Sequence, residues 1–146
     1  MDNNMELPDP LPKSSNSHTP NHARAALAWF AKVGPNEWSL TIKEQCVFLG
    51  GLKTRTYYRL KKAALSGQPV HLSRDVMERL SLLLGIYKGL RIITPNAPSC
   101  LAAEWFIGPN SNPAFRNQSM KDFVVERGTI DALYTVRRYI DRSVNM

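Results

Sequence analysis

Cysteine is nearly missing from this chain: Cys46 and Cys100 are its only two in 146 residues. A pair so few and so far apart excludes a disulfide framework and a Cys-rich zinc site, and it fits a reducing cytoplasm. Long apolar runs are missing too, for nowhere do about 18 consecutive apolar residues occur, the length that a membrane-spanning helix needs. The amino terminus, MDNNMELPDPLPKSSNSHTPNH, has no basic stretch leading into an apolar one, so no secretory leader is expected. Catalytic signatures are equally scarce. There is no glycine-rich phosphate loop, no nucleophile elbow, no framed carboxylate pair and no His beside a Cys or Asp to serve as general base. His18, His22 and His71 lack metal-ligand spacing. The expectation is a chain that is not an enzyme and needs neither cofactor nor metal. Because no segment alternates at period two, strands are not expected, and the fold class is all-α.

What is present begins with charge. Lys and Arg exceed Asp and Glu by 19 to 12, a net charge of +7, which favours contact with a polyanion or an acidic protein surface. Residues 1–22 are rich in Pro, Asn, Ser and Asp and hold too few apolar groups to offset the entropy of ordering, so they are expected to form a flexible tail. From Ala23 to Lys32 the run ARAALAWFAK favours a helix, and Gly34-Pro35 is expected to end it. Two more helical patterns follow, with Ile42, Cys46 and Leu49 on one face of the first and Tyr57, Leu60 and Ala64 on one face of the second. Gly50-Gly51 separates them, and Thr54 is placed to cap the second. Counting from Gly50 and counting from Gly51 give registers that differ by one, which points to an extra residue in this turn.

Gly67-Gln68-Pro69 marks the expected boundary between a first module, residues 23–67, and a second, residues 68–146. Ser73 opens a long amphipathic pattern with Val76, Leu80, Leu83, Leu84, Tyr87 and Leu90 on one face, stopped by Thr94-Pro95. A short helix is expected from Pro98 through Leu101, Trp105 and Phe106, with Trp105 as core. After an Asn/Pro loop, Ser119 and Thr129 are placed to cap two last helices. The final one turns Ile130, Leu133, Val136 or Arg137, and Ile140 inward.

The densest basic cluster is KTRTYYRLKK, Lys53 to Lys62, with five cations and no carboxylate. If Tyr57, Leu60 and Ala64 face inward, Arg55, Arg59 and Lys62 project outward in one stripe. A cationic helix preceded by a short helix and a glycine turn suits the DNA major groove, where Arg pairs with guanine through two hydrogen bonds and Lys neutralises phosphate. Thr54, Arg55, Thr56 and Arg59 are the candidate base contacts, and Lys53, Tyr58, Lys61 and Lys62 the candidate phosphate contacts. A solvated helix face would carry the same cations, so the stripe alone leaves both readings open.

Downstream, the order RLSLLLGIYKGLRIITPN, AAEWFIGPNSNPAFRNQSMKDFV, a glycine and ALYTVRRYID resembles the toxin-binding domain of the Xre/MbcA/ParS antitoxin family. Leu84-Gly85-Ile86, Trp105, Asn112-Pro113-Ala114-Phe115 and Arg138-Tyr139 carry the match, which covers about Asp75 to Asp141; Asn117 and Met120 stand where many relatives have Gly and Pro. The resemblance implies a helix-turn-helix module followed by a small helical toxin-binding module. It also implies a type II antitoxin that neutralises a RES-domain, NAD-degrading toxin and represses its own operon. Asn112, Pro113, Phe115, Arg116, Arg137, Arg138, Tyr139, Arg142 and Met146 are then the candidate toxin contacts, with the last residues reaching into the toxin's cleft. Aromatic and arginine side chains are the residue types that anchor interfaces. A homodimer on operator DNA is expected, because two-fold symmetry lets paired modules read two half-sites. The rival reading is a stand-alone helix-turn-helix regulator whose second module dimerises or senses a ligand.

Overall fold

The computed structural model describes residues 7–8, 20–94 and 99–145, and every regular element among them is helical. Helix α1 (Pro20–Asn36) opens on a proline, whose fixed φ and missing N–H suit a first helical position. It therefore claims Pro20, Asn21 and His22, which the composition had assigned to the tail. Leu7, also assigned to the tail, packs against the core. The helix runs on through Gly34 and Pro35, where a stop was expected. Pro35 lies in the last turn, so a single intrahelical bond is forfeited, and Glu37 and Trp38 donate back to the Val33 carbonyl at 2.9 and 3.1 Å to close the end.

Helix α2 (Ile42–Phe48) is short and held by a capping box. Glu44 N–H donates to Thr41 Oγ1 at 3.1 Å, and Thr41 N–H donates to Glu44 Oε1 at 2.9 Å. The chain turns through Leu49–Lys53 into α3 (Thr54–Leu65). Thr54 is not the cap of that helix. Lys53 occupies the cap position without a side-chain hydrogen bond, and Thr54 is the first helical residue.

Helix α4 (Arg74–Ile93) is the centre of the protein. Ser73 caps it, accepting from Val76 N–H at 3.2 Å. The expected stripe of Val76, Leu80, Leu83, Leu84, Tyr87 and Leu90 is buried, but so are Met77, Leu82, Ile86 and Gly89. A helix buried on most sides must be surrounded, and α1, α5 (Ser99–Ile107) and α7 (Ile130–Val144) all pack on it. Pro98, expected to open α5, lies outside the described residues. Helix α6 (Met120–Arg127) and α7 are capped as expected. Ser119 Oγ accepts from Asp122 N–H at 2.9 Å and Thr129 Oγ1 accepts from Ala132 N–H at 3.2 Å. Val136, not Arg137, takes the inward position on α7.

The α4–α7 pair is the most extensive in the fold. Gly85 and Gly89 lie one turn apart on α4, and α7 fills the space that side chains there would occupy. A methyl at Gly89 would lie 2.3 Å from Ile140 Cγ2, and one at Gly85 would lie 1.8 Å from Arg137 Nη1. Close approach of this kind needs small residues on one helix.

Aromatic rings dominate the interior. Trp29, Trp38, Phe48, Tyr87 and Phe106 form a connected group, with Trp38 and Phe106 only 4.6 Å apart between centroids. Trp38 precedes the expected division at residues 67–69 and Phe106 follows it, and the buried residues from both sides make one continuous cluster. Among the described residues no helix is long and apolar enough to cross a membrane, and no cluster of His, Cys, Asp or Glu could hold a metal ion.

Candidate functional site

Helix α3 divides cleanly by face. Tyr57, Leu60 and Ala64 are buried against α1 and α2, while Lys53, Thr54, Arg55, Tyr58, Arg59 and Lys62 are exposed and Thr56 and Lys61 half-buried. All eight residues singled out from the sequence are therefore at least partly accessible. The three that define the stripe, Arg55, Arg59 and Lys62, make no ion pair within 4.0 Å among the described residues, so no described carboxylate neutralises their charge.

The orientation of this helix is fixed by a buried polar lock. Tyr57 Oη donates to Gln45 Oε1 on α2 at 2.7 Å, and Gln45 Nε2 donates to the Leu40 carbonyl at 3.0 Å. Both ends of the Gln45 amide are thus satisfied in a place where leaving either unpaired would cost about 1–3 kcal/mol. Burial pushes the Tyr57 phenol well above its ordinary pKa, with the neighbouring Cys46 adding to the rise. The Cys46 thiol is also raised by burial, an effect that a hydrogen bond with the Thr54 side chain opposes. Around neutral pH both groups are therefore uncharged, and they hold α2 against α3.

The second candidate surface lies in the C-terminal third. Asn110 Oδ1 accepts from Asn112 N–H at 2.8 Å, and Asn112 Oδ1 accepts from Ala114 N–H at 2.9 Å, which shapes the loop into the 3-10 turn Pro113–Phe115. Arg116 and Asn117 then follow with φ of 51° and 66°. Asn117 occupies a left-handed conformation that Asn tolerates better than most side chains.

Several expected contacts move. Phe115 is not a surface anchor: it is fully buried, edge-on to Phe123 at 5.2 Å and to Tyr139 at 5.1 Å. Its role is to support Tyr139 from below. Trp105, expected in the core, is 38% exposed and stacks on Tyr139 at 6.1 Å. The reason is helical phase. Ala102, Ala103 and Phe106 form the inward face of α5, so Trp105, about 100° away from Phe106, is turned out. Arg137 is only half accessible, because its guanidinium lies against Gly85 and its Nε is 3.1 Å from Asp141 Oδ1. Arg116, Arg138 and Arg142 are exposed, Asn112 is half-buried and Pro113 exposed. Arg138 and Arg142 line an open groove with Asp141 and Asn145. Met146 lies outside the described residues.

The result is an aromatic shelf of Trp105 and Tyr139, resting on Phe115, on a surface that also carries exposed arginines. Trp105 and the exposed Leu101 were missed as surface residues. The Ala102–Phe106 spacing was the available signal.

The fold and these surfaces define a class: a small all-α protein with an outward cationic helix and a separate aromatic and arginine-bearing surface. No protein-family model matches the chain, and no solved structure matches it. It is 30% identical over 135 residues to a protein of Sinorhizobium fredii described as uncharacterized protein y4oB, an alignment that spans 92% of this chain and 96% of y4oB. The chain belongs to the family of that protein.

Proposed function

We propose that the protein is a DNA-binding antitoxin of a type II toxin-antitoxin system. In this reading α2 and α3 act as a helix-turn-helix that represses the chain's own operon, and the C-terminal helices hold and neutralise a RES-type NAD-degrading toxin. The observation that carries the DNA half is the face of α3: Arg55, Arg59 and Lys62 point outward while Tyr57, Leu60 and Ala64 anchor the opposite side. A helix rigidly held by its inner face can offer its outer cations to a groove without losing further order on binding. The toxin half is supported by the Trp105–Tyr139 shelf and by Arg116, Arg138 and Arg142, accessible groups of the types that dominate interface energetics. A homodimer is part of the proposal, since one short helix reads too few bases to find an operator alone.

The test has two arms. Co-expression with the adjacent reading frame, followed by co-purification, should recover a complex, and that complex should be lost with Trp105→Ala plus Arg138→Ala. A gel-shift with the chain's own upstream DNA should show retardation that weakens with salt. A second reading has one observation in its favour. Phe115 is buried and Arg137 is half-covered against Gly85, so the proposed toxin face is smaller than the sequence suggested, whereas the α3 face is complete. A stand-alone regulator would shift its own DNA and co-purify with no neighbour.

A further inference from the structure

Arg79 is one of very few charged or polar side chains buried in the described residues, and it sits where three parts of the fold meet. It projects from α4. Its Nε donates to Asp75 at 3.1–3.2 Å, and its Nη1 donates to the carbonyl of Gly128, the residue that ends α6, at 3.1 Å. The same pair supports the turn between α2 and α3. Gly50 has φ of 96°, and a methyl on it would lie 2.7 Å from Asp75 Oδ2 and 3.2 Å from Arg79 Nε, so the backbone of the turn rests directly on the ion pair. Gly128 in turn sits against α2, with its Cβ position 3.4 Å from Val47 Cγ1. A closed ring therefore runs from α2 through its glycine turn to Arg79, on to the α6–α7 turn and back to α2.

A buried guanidinium gives up hydration worth about as much as its partners return, so an apolar side chain of the same size would hold α4 as well. What an apolar side chain could not do is fix direction: hydrogen bonds to a carboxylate and a carbonyl specify position where apolar contact tolerates sliding. We infer that Arg79 is a positioning residue for the DNA-reading helix, pinning the Gly50 turn that aims α3 and tying that aim to the position of the α6–α7 turn. The inference rests on α3 being the helix that reads DNA. It goes further in making DNA recognition depend on a residue outside the helix-turn-helix and on the seat of the C-terminal helices.

The experiment uses the full-length chain, hydrogen exchange, and fluorescence anisotropy with a duplex from its own upstream region beside a scrambled duplex. Arg79→Lys keeps the charge but cannot bridge Asp75 and Gly128. It should speed exchange at the amides of residues 50–53 by about tenfold or more and weaken binding to the specific duplex about tenfold, leaving the scrambled duplex within about twofold because every α3 cation remains. Lys121→Ala is the control. Lys121 also joins the two halves, donating to the Ser39 carbonyl at 3.2 Å and pairing with Glu44 at 3.6 Å, but it does not touch the turn, and its loss should change neither reading. Should Arg79→Lys fail to fold, Gly50→Ala and Gly51→Ala separate the cases. Both positions have left-handed φ, 96° and 83°, yet only a methyl at Gly50 meets Asp75 and Arg79, so Gly50→Ala alone should lose specific binding. A folded Arg79→Lys protein with wild-type turn exchange or wild-type specific affinity overturns the inference, as do equal effects at Gly50 and Gly51. If the wild-type chain does not distinguish its own duplex from the scrambled one, the DNA reading fails and takes the inference with it.

Discussion

Adding one methyl group to α4 should have opposite consequences at two positions a single turn apart. Alanine at Gly85 or Gly89 gains about 1 kcal/mol of helix propensity in either place. At Gly85 the methyl meets Arg137 Nη1 at 1.8 Å and Cζ at 2.3 Å, the far end of a long side chain that is 36% exposed and can swing away. What is lost is the Arg137–Asp141 pair, partly exposed and worth about 0–1 kcal/mol. At Gly89 the methyl meets Ile140 Cγ2 at 2.3 Å, and Ile140 is fully buried and β-branched, with no exposed rotamer to adopt. Overpacking there costs about 1–3 kcal/mol. Gly85→Ala should thus be neutral or slightly stabilised, and Gly89→Ala destabilised relative to it by on the order of 1.5 kcal/mol. Urea or thermal unfolding of both proteins measures the difference, which amounts to several degrees in Tm at about 2–8 °C per kcal/mol for domains of this size range. A double-mutant cycle locates the cause. Ile140→Ala alone should cost about 2–5 kcal/mol, and in the Gly89→Ala background at least about 1 kcal/mol should be recovered because the new methyl fills part of the cavity. Equal stabilities for Gly85→Ala and Gly89→Ala, or an additive cycle, would refute this account of the α4–α7 seam.

Other consequences follow from the same geometry. Arg55→Ala and Arg59→Ala should each weaken binding to the specific duplex by about 1–3 kcal/mol and leave Tm unchanged, since neither side chain is buried; unaltered affinity would remove α3 from the interface. Tyr57→Phe leaves Gln45 Oε1 buried without its donor and should destabilise by about 1–3 kcal/mol in urea unfolding. Stability should also fall at alkaline pH. Burial raises the Tyr57 phenol and, with Glu37 adjacent, that of Tyr87, so above about pH 10 the unfolded chain gives up protons that the folded chain retains, and folding free energy is lost as pH rises through the folded values. Tyr57→Phe should flatten that decline in a pH series of unfolding curves. Phe115→Ala should cost about 3–5 kcal/mol through its buried cavity, so any loss of partner capture in that variant should track loss of folding, whereas Trp105→Ala should lose capture with Tm nearly intact.

Helix phase explains most of what was legible beforehand. The i, i+3, i+7 spacing of Tyr57, Leu60 and Ala64 sets which side of α3 is covered, and so exposes Arg55, Arg59 and Lys62. Caps at Ser119 and Thr129 were readable because their hydroxyls act on N–H groups three residues away, within the same local segment. Phe115 and Trp105 occupy the reverse of the environments expected for them. Both are large aromatics beside a loop, and which one is covered depends on where α7 brings Tyr139, a contact that spans more than 20 residues of chain in either case. Pro35 sits inside α1 where a stop was expected, for a related reason: a proline stops a helix that must continue, and α1 had only to reach Asn36.

Local pattern by itself determined that this chain is all-α, where most helices begin, and that its basic stripe faces outward, because periodicity and capping act over a few residues. The tertiary structure decided that both halves share one aromatic core, that Gly85 and Gly89 exist to admit α7, and that a buried arginine joins the glycine turn of α2 and α3 to the end of α6. Those features depend on residues dozens of positions apart meeting within a few ångströms, which only the packed chain specifies.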